Sequence, residues 1–374
     1  MAPRGDIWGL PYKGGKSKIA HKQCEWLAEY AQSAGIYKFV DLCGGGGKIA
    51  FSISRAVFRE VTYNDYDVSI VCLMKMIRHR TTLNWLTGEL RRRTSTEDNY
   101  KLFKEAKEYV EAEQRRRDNG EKIFDKYKLG FAAAILIWGS RENDRMKPIK
   151  TTLRSGETFI RYEDFIWGGK DGSSSVERSL LKQFSRLQPV KSGRLYIESI
   201  KITNMDAFVF LEQKKRRDDL LVYIDPPYVN DGKKDYYVPW DIQDHEKLIA
   251  LCENSRLHIA ICYGISEADT ETHEPGPEEL PCYQRLLANE KWHRYSCVLE
   301  KKKKKKDERD AEDEFGYIIP IEKAKENKSN RIEIMLCNFE IPSQEKKKKE
   351  QAQRREELFG LSSKSNLSSE SLLS

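Results

Sequence analysis

Four consecutive residues, Asp225 to Tyr228, have the clearest potential for chemistry in this sequence. They follow Leu220 to Ile224, a continuous apolar run typical of a parallel strand that is buried on both faces. Pro226 and Pro227 fix a rigid turn, and the Pro226 carbonyl stands beside the Asp225 carboxylate as a second hydrogen-bond acceptor. An exocyclic amino group can donate two hydrogen bonds, and the Tyr228 ring offers a flat face for stacking. We therefore predict that this turn binds an amino-bearing base.

A glycine-rich turn, Asp41 to Gly47, is the second candidate site. Glycines let the backbone approach a ligand closely and can present N–H groups at the start of a helix. The spacing differs from that of a phosphate-binding P-loop. Gly45, Gly47 and Ala50 fit the looser dinucleotide fingerprint Gly-x-Gly-x-x-Ala, although a run of four glycines can match it by accident. The turn alone leaves a ligand site and a purely structural role open.

Asp65 makes a ligand site more specific. It ends the next β-rich segment about 20 residues after the turn, where an acidic residue can accept hydrogen bonds from both ribose hydroxyls of a nucleoside. Capping of a helix is the alternative role for this residue. Together, the glycine turn and Asp65 predict a nucleoside cofactor.

Strands and helices must position these residues, and the hydrophobic pattern predicts both. The first 80 residues alternate between helix and strand, as at the start of a doubly wound, Rossmann-like α/β sheet. The predicted helices here are Ser17 to Ala34 and Lys48 to Val57, and the predicted strands are Tyr37 to Leu42 and Glu60 to Tyr63. Later predicted strands are Leu195 to Ile200, Leu220 to Ile224, His258 to Cys262, Ser296 to Leu299 and Arg331 to Leu336.

The pattern between residues 81 and 190 is different and predicts an inserted, mainly helical domain. Glu97 to Gln114 is a highly charged helical segment, and polar, glycine- and serine-rich loops follow it. We therefore divide the chain into a first catalytic part (1–80), the insert (81–190), a second catalytic part (191–341) with a lysine-rich loop (300–328), and a tail (342–374). The composition of the tail predicts disorder, with a frayed helix as the alternative.

Composition excludes several classes of protein. Hydrophobic residues make up 39% of the 374 residues, with enough aromatic residues to build a core, which excludes wholesale disorder. The longest apolar stretch, Phe131 to Trp138, is far shorter than the roughly 20 residues of a membrane span, and the N-terminus has no signal-peptide core. The eight cysteines form no Cys-x-x-Cys pair, and no set of residues has metal-ligand spacing. We expect reduced thiols, a cytosolic protein and no metal.

Basic residues occur in clusters, although the net charge is only +7. A cluster can be a solvated surface or can grip phosphates, and several clusters on one chain favour contact with nucleic acid. We expect Lys301 to Lys306 to contact DNA and Lys346 to Lys349 to be solvated. The other clusters are Arg91 to Arg93, Arg115 to Arg117 and Lys214 to Arg217.

The sequence resembles the Dam-like, α-group DNA adenine-N6 methyltransferases. Asp41 to Gly47 is similar to the family's glycine motif, Asn64-Asp65 to its ribose-binding acid, and Asp225 to Tyr228 to its catalytic tetrapeptide. Pro11 to Lys16 resembles its N-terminal motif, Asn204 to Phe208 the segment beside the cofactor's adenine, and Asn330 to Asn338 its closing strand. The order of the motifs also fits, with the insert between the cofactor and catalytic motifs. Cys43 departs from the family pattern, which usually has Phe there.

The resemblance implies the Rossmann-like fold of class I methyltransferases, S-adenosylmethionine as cofactor and double-stranded DNA as partner. It also implies a location in the cytoplasm of a bacterium or of a phage-infected host. The implied cofactor-binding residues are Tyr12, Lys16, Asp41, Gly45, Gly47, Asp65, Asp206, Ala207 and Asp225. The implied catalytic residues are Asp225, Pro226, Pro227 and Tyr228, which would act on an adenine flipped out of the duplex. The target sequence, the oligomeric state and the biological role (restriction–modification, phage self-protection or housekeeping) stay open.

Alternative functions also stay open. The same turn could methylate cytosine N4 in DNA or adenine N6 in RNA, and a DNA-binding protein without turnover could keep the fold. His245, just before the next apolar helical segment, is expected to be a surface residue at a helix start, although the similarity of this segment to the family hints at packing near the site.

Overall fold

The computed structural model describes residues 10, 19–96, 99–138, 151–152, 158–159, 196–228, 240–265, 281–299, 331–346 and 349. Tyr12 and Lys16, the lysine-rich loop 300–328 and the tail beyond residue 349 lie outside the described residues. The expectations about them therefore remain predictions.

The strands form one large sheet and one small one. They are β1 (Lys38–Asp41), β2 (Glu60–Asn64), β3 (Thr151–Thr152), β4 (Thr158–Phe159), β5 (Lys201–Thr203), β6 (Leu220–Ile224), β7 (His258–Ile265), β8 (His293–Leu299) and β9 (Arg331–Cys337). The large sheet has the order β5-β2-β1-β6-β7-β9-β8, and β3 pairs with β4 separately. The first five strands in this order, which are β5, β2, β1, β6 and β7, are parallel to one another. Strand β9 is antiparallel to both β7 and β8. The predicted α/β class is confirmed.

Helices cover both faces of the large sheet. They are α1 (Ala20–Ala34), α2 (Val68–Arg78), α3 (Arg80–Thr96), α4 (Asn99–Asp118), α5 (Lys126–Trp138), α6 (Tyr196–Ser199), α7 (Ala207–Lys214), α8 (Ile242–Glu253) and α9 (Pro281–Leu287). Neighbouring strand residues face opposite sides. Phe39 therefore packs in the core that contains α1 to α5, and Val40 in the core that contains α7 to α9. This three-layer packing explains why the central strands are apolar on both faces.

The order of the strands reverses between β1 and β6, and we call the space beyond the carboxyl ends of these two strands the crevice. From β1 the chain builds the sheet outward through β2 to β5, and it then returns to place β6 on the other side of β1. Open α/β sheets bind ligands at the carboxyl ends of the strands where the order reverses in this way. Asp41 ends β1 and Asp225 follows β6, so the two sequence motifs meet at this point.

The helix predicted over Lys48 to Val57 is wrong. Residues 48–57 form separate turns instead, in which the Phe51 N–H donates to the Gly47 carbonyl (3.0 Å) and the Phe58 N–H to the Ser54 carbonyl (2.9 Å). Gly47 has a φ of 74°, outside the right-handed helical region, so it cannot be part of a regular helix. The predicted helix N-terminus at the site is therefore not formed.

The strand predicted over Leu195 to Ile200 is also wrong. Residues 196–199 form the helical turn α6, and the strand β5 begins only at Lys201. Ile197 and Ile200, three residues apart, are both buried, a spacing that suits a helical turn rather than an alternating strand.

Helices α3 to α5 share the core of the catalytic sheet, although they lie within the predicted insert. Leu86, Phe103 and Leu136 belong to the same buried cluster as Phe39. The division of the chain at residue 81 stays a prediction, and most of residues 139–195 lie outside the described ones. Among the helices that the structure describes, none is long and apolar enough to span a bilayer.

The first residues of the tail are attached to the folded domain, although the composition of the tail predicts disorder. Residues 342–346 form a helical turn. The Glu29 carboxylate of α1 accepts hydrogen bonds from the Ser343 N–H and the Ser343 hydroxyl, each at 2.6 Å. A charged acceptor on α1 thus fixes this turn to the folded domain.

Candidate active site

The glycine turn is fixed to the end of β2. The Gly45 N–H donates to Asp65 Oδ2 (2.7 Å), and the Tyr63 hydroxyl donates to the Gly45 carbonyl (2.8 Å). Gly45 and Gly47 have φ values of 46° and 74°, which glycine adopts without strain. A Cβ on Gly44 would lie 2.3 Å from the Tyr63 ring, so the turn packs directly on that ring. The structure thereby brings three predicted cofactor residues, Gly45, Gly47 and Asp65, into one place.

Asn64 is a buried polar residue that joins three chain segments beneath the site. Its Nδ2 donates to the Leu42 and Met205 carbonyls, each at 2.9 Å. Its Oδ1 accepts from the Met205 N–H (2.9 Å) and the Thr203 hydroxyl (2.8 Å). The sequence singled out Asn64 only as the neighbour of Asp65, whereas the structure gives it a scaffold role.

Four carboxyl groups gather around the Cys43 thiol. Burial, followed by the negative charges of Asp65, Asp41, Asp225 and Asp206, raises the pKa of Cys43 well above its usual value. The four predicted acidic residues of the site are therefore neighbours in space. The thiol stays protonated at neutral pH, which makes it a poor nucleophile.

Asp41 is the most deeply buried acid of the site, with a relative exposure of 1%. Burial, together with the nearby charges of Asp225 and Asp65, raises its pKa to about 8, against the opposing effect of a hydrogen bond from the Ala50 N–H. That bond joins the Ala50 nitrogen to Asp41 Oδ2 at 3.0 Å. A cationic ligand beside these acids would favour the ionised form of Asp41 and is therefore the kind of ligand that suits this position.

Asp206 and Ala207 lie at the start of α7, beside the end of β2. Asp206 caps the helix, because its Oδ1 accepts from the Val209 N–H at 3.0 Å. Ala207 is buried in the core beneath it. The predicted pair is thus brought to the crevice, with the Asp206 carboxyl already making a cap hydrogen bond.

Tyr66 and Arg117 are neighbours of the site that the sequence pattern did not reveal. The Arg117 guanidinium carbon lies 3.5 Å from the centre of the Tyr66 ring, and Arg117 Nε donates to Asn204 Oδ1 (3.2 Å). Asn204 Nδ2 donates in turn to the Asp65 and Tyr66 carbonyls, at 2.7 and 2.9 Å. An aromatic residue directly after Asp65 was a usable signal, whereas the sequence pointed to Arg117 only as part of the basic cluster Arg115 to Arg117.

The tetrapeptide Asp225 to Tyr228 lies beside the glycine turn at the same edge of the sheet. The Leu42 N–H donates to the Tyr223 carbonyl at 2.9 Å, which joins the ends of β1 and β6. Pro226 is buried, whereas Asp225 and Tyr228 are partly exposed. The Tyr228 hydroxyl lies 3.0 Å from Asp225 Oδ1 and 2.9 Å from Glu333 Oε2. The structure therefore brings the carboxylate and the aromatic ring of the tetrapeptide to the predicted cofactor acids.

His245 is buried, with a relative exposure of 1%, so the expectation of a surface residue is wrong. Its Nε2 lies 3.0 Å from the Pro227 carbonyl, and its Nδ1 lies 2.8 Å from the Tyr283 hydroxyl. A carbonyl can only accept, so Nε2 carries the hydrogen. Burial lowers the pKa of His245, which leaves Nδ1 free to accept from Tyr283. His245 therefore holds the tetrapeptide turn from α8.

Comparison with known proteins identifies the family. A family model described as D12 class N6 adenine-specific DNA methyltransferase matches residues 12–275. The chain belongs to this family. A search of curated proteins found no match.

The methyltransferase therefore uses S-adenosylmethionine to methylate the N6 amino group of adenine in DNA. The family description names adenine N6 in DNA, and neither cytosine N4 nor RNA. The match covers the glycine turn, Asp65 and the tetrapeptide, but ends before β8 and β9.

The methyltransferase's remaining charged groups add two findings. Among the described residues, no group of three or more His, Cys, Asp or Glu residues could hold a metal ion. The basic cluster Lys214 to Arg217 lies at the amino ends of the central strands, opposite the candidate site. There, Arg217 and Lys38 both form ion pairs with Asp219. Hydrogen bonds from Arg217 and Lys38, together with their charges, lower the pKa of Asp219.

Proposed function

We propose that S-adenosylmethionine binds in the crevice between the glycine turn and the tetrapeptide Asp225 to Tyr228. The carboxyl groups around Cys43 support this position, because a positively charged sulfur would be attracted to the ionised ones and would favour ionisation of Asp41. Gly45 and Gly47 would bring the backbone close to the ligand.

Asp65 is the residue that we assign to the ribose hydroxyls. Its two oxygens already accept from the Gly45 N–H (2.7 Å) and the Asp67 N–H (2.8 Å). A carboxylate has about four acceptor positions, so further hydroxyl donors can still be accepted. We assign Asp206 and Ala207 to the border of the cofactor's adenine, and Tyr12 and Lys16 to further contacts on the basis of the family resemblance.

The chemistry that we propose for the tetrapeptide is positioning combined with electrostatics. S-adenosylmethionine supplies a methyl group that its positively charged sulfur already activates for transfer. The Asp225 carboxylate and the Pro226 carbonyl accept the two N–H groups of the adenine amino group. These bonds favour a pyramidal nitrogen with a localised lone pair, which attacks the methyl carbon in line.

We further propose that the target adenine is flipped out of the duplex and stacks on Tyr228. A base inside the double helix cannot reach this turn, and extrusion costs a few kcal/mol. Stacking on an aromatic ring contributes about 1–3 kcal/mol per base and offsets much of this cost. The partly exposed position of Tyr228 at the sheet edge supports this role.

Recognition of the target sequence is assigned to the insert (81–190), and phosphate contact to the lysine-rich loop (300–328). We also propose a reducing, cytoplasmic location, since all seven described cysteines are free thiols.

One observation carries the proposal: the cofactor acids and the tetrapeptide converge at the carboxyl ends of adjacent strands β1 and β6. The test is Asp225→Ala, which should abolish N6-methyladenine in a nucleoside digest analysed by mass spectrometry while the thermal melting curve is preserved. Asp218→Asn, an exposed carboxyl at the opposite edge, is the matched control and should keep full activity. Turnover close to wild type in Asp225→Ala would reject the assignment.

Tyr228→Ala should lower turnover more strongly than it lowers DNA affinity, because it removes the stacking face but few phosphate contacts. Turnover on bound DNA and DNA affinity are measured separately, by single-turnover methylation and by fluorescence anisotropy. A loss of affinity with unchanged turnover on bound DNA would contradict the stacking role.

A further inference from the structure

Glu333 is a buried carboxyl group beside the tetrapeptide turn that the mechanism above does not use. It lies on β9 with a relative exposure of 4%, and its Oε2 lies 2.9 Å from the Tyr228 hydroxyl. Residue 333 is paired with Gly264 of β7 and with Cys297 of β8. The backbone of Glu333 is therefore held on both sides, near the carboxyl end of β7. This pairing fixes the point from which the Glu333 side chain extends toward Tyr228.

The Tyr228 hydroxyl faces two carboxyl groups but has one proton to donate. Asp225 Oδ1 lies at 3.0 Å and Glu333 Oε2 at 2.9 Å from the same hydroxyl oxygen. Hydrogen bonds weaken steeply away from linear geometry, so a full-strength bond goes to one acceptor at a time. While the hydroxyl points at Asp225, it occupies one acceptor position of Oδ1 and draws on the carboxylate charge that the target amino group also needs.

We propose that Glu333 is a positioning residue that takes over the Tyr228 hydroxyl when Asp225 accepts the target amino group. The inference rests on the proposed roles of Asp225 and Tyr228. Transfer of the hydrogen bond to Glu333 frees Asp225 Oδ1 without leaving the hydroxyl unsatisfied. It also keeps the Tyr228 ring in a fixed orientation for stacking, since the acceptor belongs to a strand held on both sides.

The test is a double-mutant cycle on Glu333 and Tyr228. Glu333→Met removes the acceptor at similar length and should lower kcat about tenfold, with little change in the KM for S-adenosylmethionine. Glu333→Gln retains an acceptor oxygen and should recover most of the activity. Tyr228→Phe keeps the ring but lacks the hydroxyl, so Glu333→Met should cause no further loss in that background.

Two measurements separate positioning from a structural effect. The thermal melting curves of the variants show whether the fold is intact. DNA with 2-aminopurine at the target position reports extrusion of the base by its fluorescence, which Glu333→Met should change and Glu333→Gln should leave close to wild type. If Glu333→Met does not fold, Glu333→Ser, which leaves space for water, takes its place in the cycle.

Equal losses of kcat from Glu333→Met with and without the Tyr228→Phe substitution would overturn the inference. Wild-type kcat in Glu333→Met would overturn it as well. Both outcomes differ from failure of the proposed function, which would show as continued methylation by Asp225→Ala.

Discussion

A carboxyl group that keeps its proton at neutral pH lies at the end of β1. Asp41 is fully enclosed, and burial raises its pKa to about 8. Its value in an unfolded chain is near 3.8, so the folded state binds one more proton between these two pH values. The contribution of Asp41 to the free energy of unfolding is therefore most favourable below about pH 4. This contribution decreases as the pH rises to about 8.

The resulting prediction concerns Asp41→Asn, which removes this titration but keeps an acceptor oxygen for Ala50. Relative to the wild type, the ligand-free variant should gain stability progressively as the pH rises from about 4 to about 8. The gain should level off above that range. Thermal melting at a series of pH values measures the difference between the two proteins.

The control for this prediction is Asp218→Asn, an exposed residue far from the crevice. Its difference from the wild type should show no comparable change over the same pH range. If Asp41→Asn also follows the wild type in parallel, Asp41 does not titrate in this range, and the burial argument fails.

At the scale of elements, the tetrapeptide turn is held from the helix that follows it. His245 in the first turns of α8 donates to the Pro227 carbonyl, and Tyr283 of α9 donates to its other nitrogen. Trp240 contacts the His245 ring edge-on, with 5.5 Å between ring centres. The orientation of the peptide before Tyr228 thus depends on packing between β6, α8 and α9.

We predict that His245→Leu lowers kcat about tenfold, because loss of one hydrogen bond of about 1.4 kcal/mol corresponds to that factor. His245→Gln, whose amide nitrogen can still donate, should keep more activity. Tyr283→Phe should have a smaller effect, since His245 can keep its donor hydrogen on Nε2. Steady-state kinetics and thermal melting are measured for all three variants.

The structural control lies in comparing kcat with stability. If activity follows the melting temperature alone across these variants, His245 supports the fold and not the turn. Equal activity of His245→Leu and the wild type would contradict any role in positioning.

At the scale of the molecule, one basic cluster lies at the amino ends of the parallel strands, away from the proposed active site. Arg216 is exposed near the amino ends of the strands, within the cluster Lys214 to Arg217, and Asp219 there already binds Lys38 and Arg217. The proposed active site lies at the carboxyl ends. We therefore expect DNA at the active site not to contact this cluster.

The corresponding prediction is that Arg216→Glu leaves DNA affinity within about twofold of wild type, because the cluster adds no phosphate contact. Replacement of Lys302 and Lys304 by alanine should weaken binding and reduce the dependence of affinity on salt, because each phosphate contact releases counterions. Fluorescence anisotropy at several salt concentrations measures both. A strong effect of Arg216→Glu together with no effect of the lysine substitutions would reverse the assignment of the DNA-binding edge.

The sequence determined the strands that carry the site and the chemistry of their ends. Leu220 to Ile224 is buried throughout because its apolar run suits a central parallel strand, and Asp41, Asp65 and Asp225 follow or end strands as expected. These features are local: hydrophobic period, glycine and proline reveal where a strand stops and which side chain stands there. The family could be named from the same residues.

Tertiary structure decided what local pattern cannot contain. Residues 48–57 have a helical pattern but form separate turns after Gly47, whose φ of 74° lies in the left-handed region. His245 and Glu333 lie 18 and 105 residues from the turn residues that they bind, and only the packing of α8 and β9 brings them there. The raised pKa of Asp41 likewise depends on burial and on charges that follow two other strands, which no short segment of sequence specifies.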